Sequence, residues 1–171
     1  MPNHISYIDT ILVLWARPSA KRRKIAIAAA VDVLYQQYWW AVGILELLFN
    51  PYPFPRKENE NIKPGLDTTG RLLDKGFNIL VFPEGKISEQ GNLLPLKQGA
   101  GLLATQMNVP VIPVNISGVR ALIGLQQIFP RKSGTVTIRF GTPLTFDPET
   151  SHTRATEVIE KSMRDLARID Q

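Results

Sequence analysis

Apolar positions recur along this chain in two rhythms. Between Ile25 and Phe49, Ile27, Val31, Leu34, Tyr38, Val42, Leu45 and Leu48 follow at steps of three and four, the spacing of one helical face. Asp32, Gln36, Trp39, Gly43 and Glu46 fall on the opposite stripe, so the pattern predicts an amphipathic helix with a narrow polar strip. The stretch has the length of a membrane span, but an acid at its centre costs about 2.5 to 3.5 kcal/mol on insertion scales, which argues against a spanning helix. The second rhythm is the short run rich in β-branched and aromatic residues, bounded by Gly or Pro. Phe77 to Phe82, Val109 to Ile116 and Thr135 to Phe140 read as strands on this ground. Leu66 to Lys75, closed by Gly76, and Gln98 to Met107 read as helices between them. From Thr153 to Ile169, helical spacing of Ile159, Met163 and Leu166 predicts a last, surface helix. Strands separated by helices imply an α/β fold, with a mixed, partly parallel sheet flanked by helices. The proline-rich Asn50 to Pro64 is the one long connection.

Composition adds limits. The 171 residues make about one domain, enough to bury roughly two-thirds of the unfolded surface. With 44% hydrophobic and 20% charged residues, the chain is an ordinary globular one. The absence of cysteine removes disulfides and thiolate nucleophiles, and two histidines, His4 and His152, are too few for a zinc site of the usual kind, so no metal is expected. A net charge of +5 favours anionic partners, with Lys21, Arg22, Arg23 and Lys24 as the densest basic run. Followed by the amphipathic stretch and its Trp39 and Trp40, that run suits an anionic membrane surface as well as a solvated helix start. No nucleic-acid motif accompanies the charge. The first residues lack the basic and apolar segments of a cleavable signal.

Two places carry candidate chemistry. In PNHISYIDTIL, His4 and Asp9 stand five apart, about 140° around a continuous helix, so they can meet only if His4 precedes the helix. Ser6 as N-cap and Asp9 three positions on form an S-x-x-D capping pattern, predicting a helix from about Tyr7 to Ala16 with Asp9 in its first turn. The pair is then either a dyad or only a cap. The second place is Pro83-Glu84-Gly85-Lys86, just beyond the carboxyl end of a predicted strand, where α/β sheets bind ligands. Pro83 ends the ladder and Gly85 permits a tight turn. Lys97, before Gln98-Gly99-Ala100-Gly101, stands at a helix start that could help hold an anion.

Together these segments resemble a known family. FPEGKISEQGNLLPLKQGAGLLATQMNVPVIPVNISG resembles the signature region of the glycerolipid acyltransferases of the lysophosphatidate acyltransferase type, whose blocks include FPEGTRS and a VPVIPV-like strand. NHISYIDT matches the family's first block, H-x-x-x-x-D. NPYPFPR resembles the second, ending in Arg56, and TIRFGTPL the later strand and turn. The blocks occur in the family's order over nearly the whole chain.

The resemblance implies the fold of that family and an O-acyltransferase, moving a fatty acyl group from acyl-CoA or acyl-carrier protein to a hydroxyl of a lysophospholipid or glycerol-phosphate acceptor in phospholipid biosynthesis. His4 would be the base and Asp9 its orienting carboxylate, the acceptor hydroxyl attacking directly with no bound cofactor. Arg56, Phe82, Pro83, Glu84, Gly85, Lys86 and Pro113 would line the substrate site. Glu84 could equally organise its loop by accepting backbone N–H groups. The chain departs from the family at Lys86-Ile87, where Thr-Arg is usual, since Ile87 cannot bind phosphate and Lys86 offers a point charge without a fork. It also begins almost at the first block, so a fragment lacking the amino-terminal strand and helices is expected, with a fused or upstream segment and an exposed sheet position. Peripheral attachment at the cytoplasmic face of a membrane goes with this reading. The alternatives are a non-catalytic lipid-binding module of the same fold, or an acyltransferase for another acceptor.

Overall fold

The chain enters through an extended amino-terminal segment before its first short helix, α1 (Asp9–Trp15). There follow β1 (Ile25–Ala30), β2 (Pro51–Phe54), α2 (Lys63–Asp74), β3 (Asn78–Leu80), α3 (Gly99–Gln106), β4 (Val114–Ser117), α4 (Val119–Leu122), β5 (Thr137–Phe140) and α5 (His152–Arg168). The computed structural model describes residues 1–16, 24–30, 49–55, 61–122 and 134–169. Arg56, most of the basic run and residues 31–48 of the predicted amphipathic helix lie outside these. The chain packs as two compact units, Met1–Pro18 with Phe82–Gln171, and Ser19–Val81.

In the Ser19–Val81 unit, β1 is the central strand of a parallel sheet ordered β2-β1-β3. Ile27 stands opposite Pro51 on one side and Leu80 on the other. The helix expected between Ile25 and Phe49 is therefore corrected over Ile25–Ala30, which is strand. IAIAAA is apolar at every position, as a strand with both neighbours and both faces covered tends to be, and so has no alternation to announce it. The expected connection Asn50 to Pro64 likewise contains β2. Its Pro51 and Pro53 argue against a strand in general but are tolerated at a sheet edge, and among the described strands β2 lies at one. Pro64 falls in the first turn of α2, and Gly76, at φ 75°, ends it by donating to the Leu73 carbonyl. Buried Tyr52 is hydrogen-bonded to Thr69 of α2 at 2.8 Å, and burial pushes its phenol up to about 12.

In the other unit, β4 and β5 pair antiparallel, Val114 with Phe140 and Ser117 with Thr137. The expected strand from Val109 to Ile116 is shorter and displaced, because Pro110 and Pro113 have no N–H for a ladder. Val111 makes only an isolated bridge to Leu144, and β4 begins at Val114. The core is built between α3 and α5. Leu96, Ala100, Ala104, Val111, Ile159 and Met163 are all buried there, so α5 lies on the surface but seals the core with the face the sequence predicted. Gly101 lets the two helices approach. Its N–H donates to Thr156 Oγ at 3.1 Å, and a Cβ there would collide with the His152 carbonyl and the Thr156 hydroxyl. Gly101 is thus a packing residue rather than part of an anion site. We expect Gly101→Ala to lower unfolding stability by about 1–3 kcal/mol, measurable by urea denaturation, whereas Gly99→Ala, with open space around it, leaves packing unchanged. His152, the second histidine, bonds Thr105 Oγ through Nδ1 at 2.9 Å and so ties α5 to α3.

Candidate active site

The site grows from a turn. Residues Ser6 to Ile8 bend the chain into α1, whose N-cap is Ile8 rather than the expected Ser6. The reason lies in the carboxylate that begins the helix. Asp9 Oδ2 turns back and accepts the N–H groups of Ile5 at 2.6 Å and Ser6 at 2.8 Å, where the helix dipole also favours a negative charge. Ser6 Oγ is left with a long contact from Ile8 N–H at 3.4 Å. The same Oδ2 lies 2.9 Å from His4 Nδ1. A carboxylate has no proton to give, so Nδ1 carries the hydrogen and Nε2 is the free basic nitrogen. Asp9 is fully buried while the His4 side chain remains 21% exposed. The pair therefore shows solvent only its imidazole.

His4 is fixed from several directions. Its backbone N–H donates to Glu84 Oε1 at 2.7 Å, and its carbonyl accepts Ser88 N–H at 2.8 Å. The imidazole stacks on Phe82, with centroids 4.1 Å apart and planes at 26°. Next door, Asn3 brackets β4, its Nδ2 donating to the Ile116 carbonyl at 3.0 Å and its Oδ1 accepting Ile116 N–H at 2.7 Å. The histidine thus sits in backbone clamped to a strand on one side and to a loop on the other.

That loop is Pro83 to Lys97. Gly85, at φ 70°, makes the tight turn the sequence called for, in a region that costs other residues strain. Gly85 N–H bonds the Phe82 carbonyl at 3.1 Å, and Lys97 N–H closes the loop onto the Pro83 carbonyl at 2.9 Å. Within it, Glu84 is buried and accepts a second backbone N–H, from Leu94, at Oε2 over 2.8 Å. Burial raises its pKa, against the pull of the Leu94 and His4 N–H groups.

Glutamine in its place offers one acceptor to two converging N–H donors. We expect Glu84→Gln to cost about 1–3 kcal/mol of stability at neutral pH, the price of one buried unsatisfied donor. Because the folded-state pKa is raised, wild type holds its largest advantage over this variant below the ordinary value of 4.5. The advantage shrinks as pH rises through the raised value. Thermal unfolding of both proteins between pH 4 and 7 measures it.

The structure gathers His4, Asp9, Phe82, Pro83, Glu84 and Gly85 within one network. Two expectations need correction. Glu84 organises the loop, with both oxygens taken by backbone, and has no exposed edge for a substrate. Pro113 is fully buried, its carbonyl accepting Gly141 N–H at 2.8 Å, so it shapes the start of β4 and presents no binding surface. Phe82 and Pro83 act on the loop and on His4. Lys86 is exposed on the loop, and Lys97 packs its Cγ 3.5 Å from where a Gly85 Cβ would be. Asn3 and Ser88 carry roles that the sequence alone does not announce, although both lie in the quoted blocks NHISYIDT and FPEGKIS, where a polar residue near a candidate base is the available signal.

With this geometry in place, comparison with known proteins becomes specific. The sequence model of a family described as Acyltransferase matches residues 1–117. The chain is 25% identical over 146 residues to a 1-acyl-sn-glycerol-3-phosphate acyltransferase of Cocos nucifera, covering 85% of this chain and 45% of that protein. It is 36% identical over 99 residues to the beta form of Homo sapiens, covering 57% and 35% respectively. Its fold is similar to the crystal structure of the 1-acyl-sn-glycerophosphate acyltransferase PlsC from Thermotoga maritima, with a TM-score of 0.64 and 24% identity, over 96% of this chain and 64% of that one. The chain spans about half the length, or less, of these curated relatives.

Proposed function

Since the chain belongs to the acyltransferase family, we propose that it transfers a fatty acyl group from an acyl thioester to the free hydroxyl of a lysophosphatidate-like acceptor. The observation that carries this reading is the 2.9 Å pairing of the part-exposed His4, through Nδ1, with a fully buried Asp9, which leaves Nε2 as the ring nitrogen that Asp9 does not engage. The acceptor oxygen attacks the thioester carbonyl carbon as Nε2 takes its proton. The C–O bond forms, the tetrahedral intermediate collapses, the C–S bond breaks, and the imidazolium returns the proton to the departing thiolate. Asp9 holds the tautomer and stabilises the transient imidazolium. Glu84, Ser88 and Phe82 hold the imidazole in place, and no residue need form an acyl-enzyme. The donor in this reading is acyl-CoA or acyl-carrier protein. Lys86 faces the acceptor's anionic group, and Arg56 keeps that role on its place in the second block alone.

The test is direct. Purified protein with labelled acyl-CoA and lysophosphatidate should form labelled phosphatidate. Vesicle binding without turnover on any acceptor overturns the enzyme reading in favour of a lipid-binding module.

A lipid acceptor resides in a bilayer, and this reading calls for a peripheral position on the cytoplasmic leaflet. Among the described residues no helix is long and apolar enough to cross a membrane. Tyr7 (52% exposed), Ile11 (39%) and Trp15 (74%) recur every four residues from the turn through α1, beginning three residues from His4. Aromatic side chains of this kind favour the headgroup boundary, and the net charge of +5 suits anionic lipid. We expect Trp15→Glu to weaken cosedimentation with vesicles containing phosphatidylglycerol about tenfold. Undiminished binding places the membrane face elsewhere.

A further inference from the structure

Arg120 belongs to none of the interactions described so far. It lies in α4, immediately after β4, anchored by fully buried Val119. Its side chain lies along the loop that holds His4. A Cβ on Gly91 would stand 2.8 Å from Arg120 Cδ and 3.2 Å from Nη1, and Gly91 itself is at φ 81°. A glycine at this point therefore does two things, turning the loop and making room for the arginine. From Gly91 the connection to the histidine is short. Gly91 N–H donates to Ser88 Oγ at 3.1 Å, and Ser88 N–H donates to the His4 carbonyl at 2.8 Å.

Arg120 is half-buried, and among the described residues its guanidinium has neither an ion-pair nor a hydrogen-bond partner. A guanidinium partly withdrawn from water, with no partner among the described residues, is a donor fork suited to an anion. The loop itself carries a balanced formal charge, so it supplies no guanidinium of its own and no net positive charge in Arg120's place. Residues 83–97 contain Lys86 and Lys97 against exposed Glu89 and the buried, backbone-bound Glu84, and no arginine of their own.

We propose that Arg120, laid across Gly91, binds a substrate phosphate beside His4 and so sets the preference of the transfer for phosphorylated substrates. A phosphate matches the planar fork in two parallel hydrogen bonds, which a lysine cannot reproduce. The proposal rests on the acyl-transfer reading for its biological meaning. The phosphate could be that of the acceptor or those of a nucleotide-bearing donor.

The experiment compares wild type, Arg120→Ala and Arg120→Lys, with thermal unfolding confirming that each is folded. The kcat/KM ratio for lysophosphatidate over monoacylglycerol of the same chain is measured, and so is the ratio for acyl-CoA over acyl-pantetheine. One ratio should fall about 10- to 100-fold in Arg120→Ala, corresponding to one charge-assisted interaction, and only partly recover in Arg120→Lys. A fall in the first ratio assigns the phosphate to the acceptor, and a fall in the second assigns it to the donor. If both ratios stay within threefold of wild type, the proposal is overturned. Should wild type prove to have no transferase activity, calorimetric titration with glycerol 3-phosphate and with CoA decides separately. Binding weakened tenfold or more in Arg120→Ala supports the site, and equal or absent binding in both proteins removes it.

Discussion

Replacing His4 with alanine is expected to reduce kcat for acyl transfer by about a thousandfold or more, within the 10²- to 10⁴-fold range that a positioned general base supplies. The structure makes the variant clean. The backbone N–H and carbonyl that bind Glu84 and Ser88 belong to the main chain and survive the change. What is lost is the imidazole, with its stacking on Phe82 and its hydrogen bond to buried Asp9, a change of about 1–3 kcal/mol in stability. A steady-state assay with labelled acyl-CoA, beside a urea unfolding curve, separates the two effects. Undiminished turnover in a folded His4→Ala protein would remove the dyad from the mechanism.

The second large effect is at Asp9, where asparagine and alanine should part company. Oδ2 accepts three donors, the N–H groups of Ile5 and Ser6 and His4 Nδ1, whereas Oδ1 is buried with no hydrogen-bond partner among the described residues. In Asp9→Asn, two backbone donors can be satisfied only if the amide oxygen takes the Oδ2 position. The amide NH2 then occupies the Oδ1 place, and His4 Nδ1–H still meets an oxygen. The tautomer is preserved and only the charge opposite the imidazolium is lost. We expect about a hundredfold loss in kcat at modest cost to folding. Asp9→Ala leaves two buried N–H groups without an acceptor, each worth about 1–3 kcal/mol, so stability should fall by several kcal/mol and activity with it. Measured kcat and unfolding midpoints for both variants decide. A loss in Asp9→Asn as deep as that in His4→Ala would mean that the ring has turned over.

These effects depend on contacts that differ in how far the linear chain announces them. His4 and Asp9 were legible as a pair because their separation is local. Five residues and one turn are enough to bring them together, and only the capping detail changed, from Ser6 to Ile8. Gly76 and Gly85 were legible because positive φ favours a residue without a side chain. Glu84 was legible as important but not as to purpose. Its partner N–H groups are 80 and 10 residues away, and nothing within PEGK says whether its oxygens face backbone or substrate.

What the sequence by itself determined is the set of features whose physics is local. They are the existence of α2 and α3, the buried face of α5, the turn at Gly85, the order of the family's blocks, and the pairing of His4 with Asp9 at the start of α1. Only the tertiary structure decided that IAIAAA is a central strand, since sheet neighbours override the intrinsic helix preference of alanine, and that PYPF is an edge strand despite its prolines. It alone showed Pro113 buried, Gly101 as the contact between two helices, and Arg120 lying on Gly91. These are pairings between residues tens of positions apart, and the free energy that selects them resides in packing and desolvation, which no stretch of chain carries by itself.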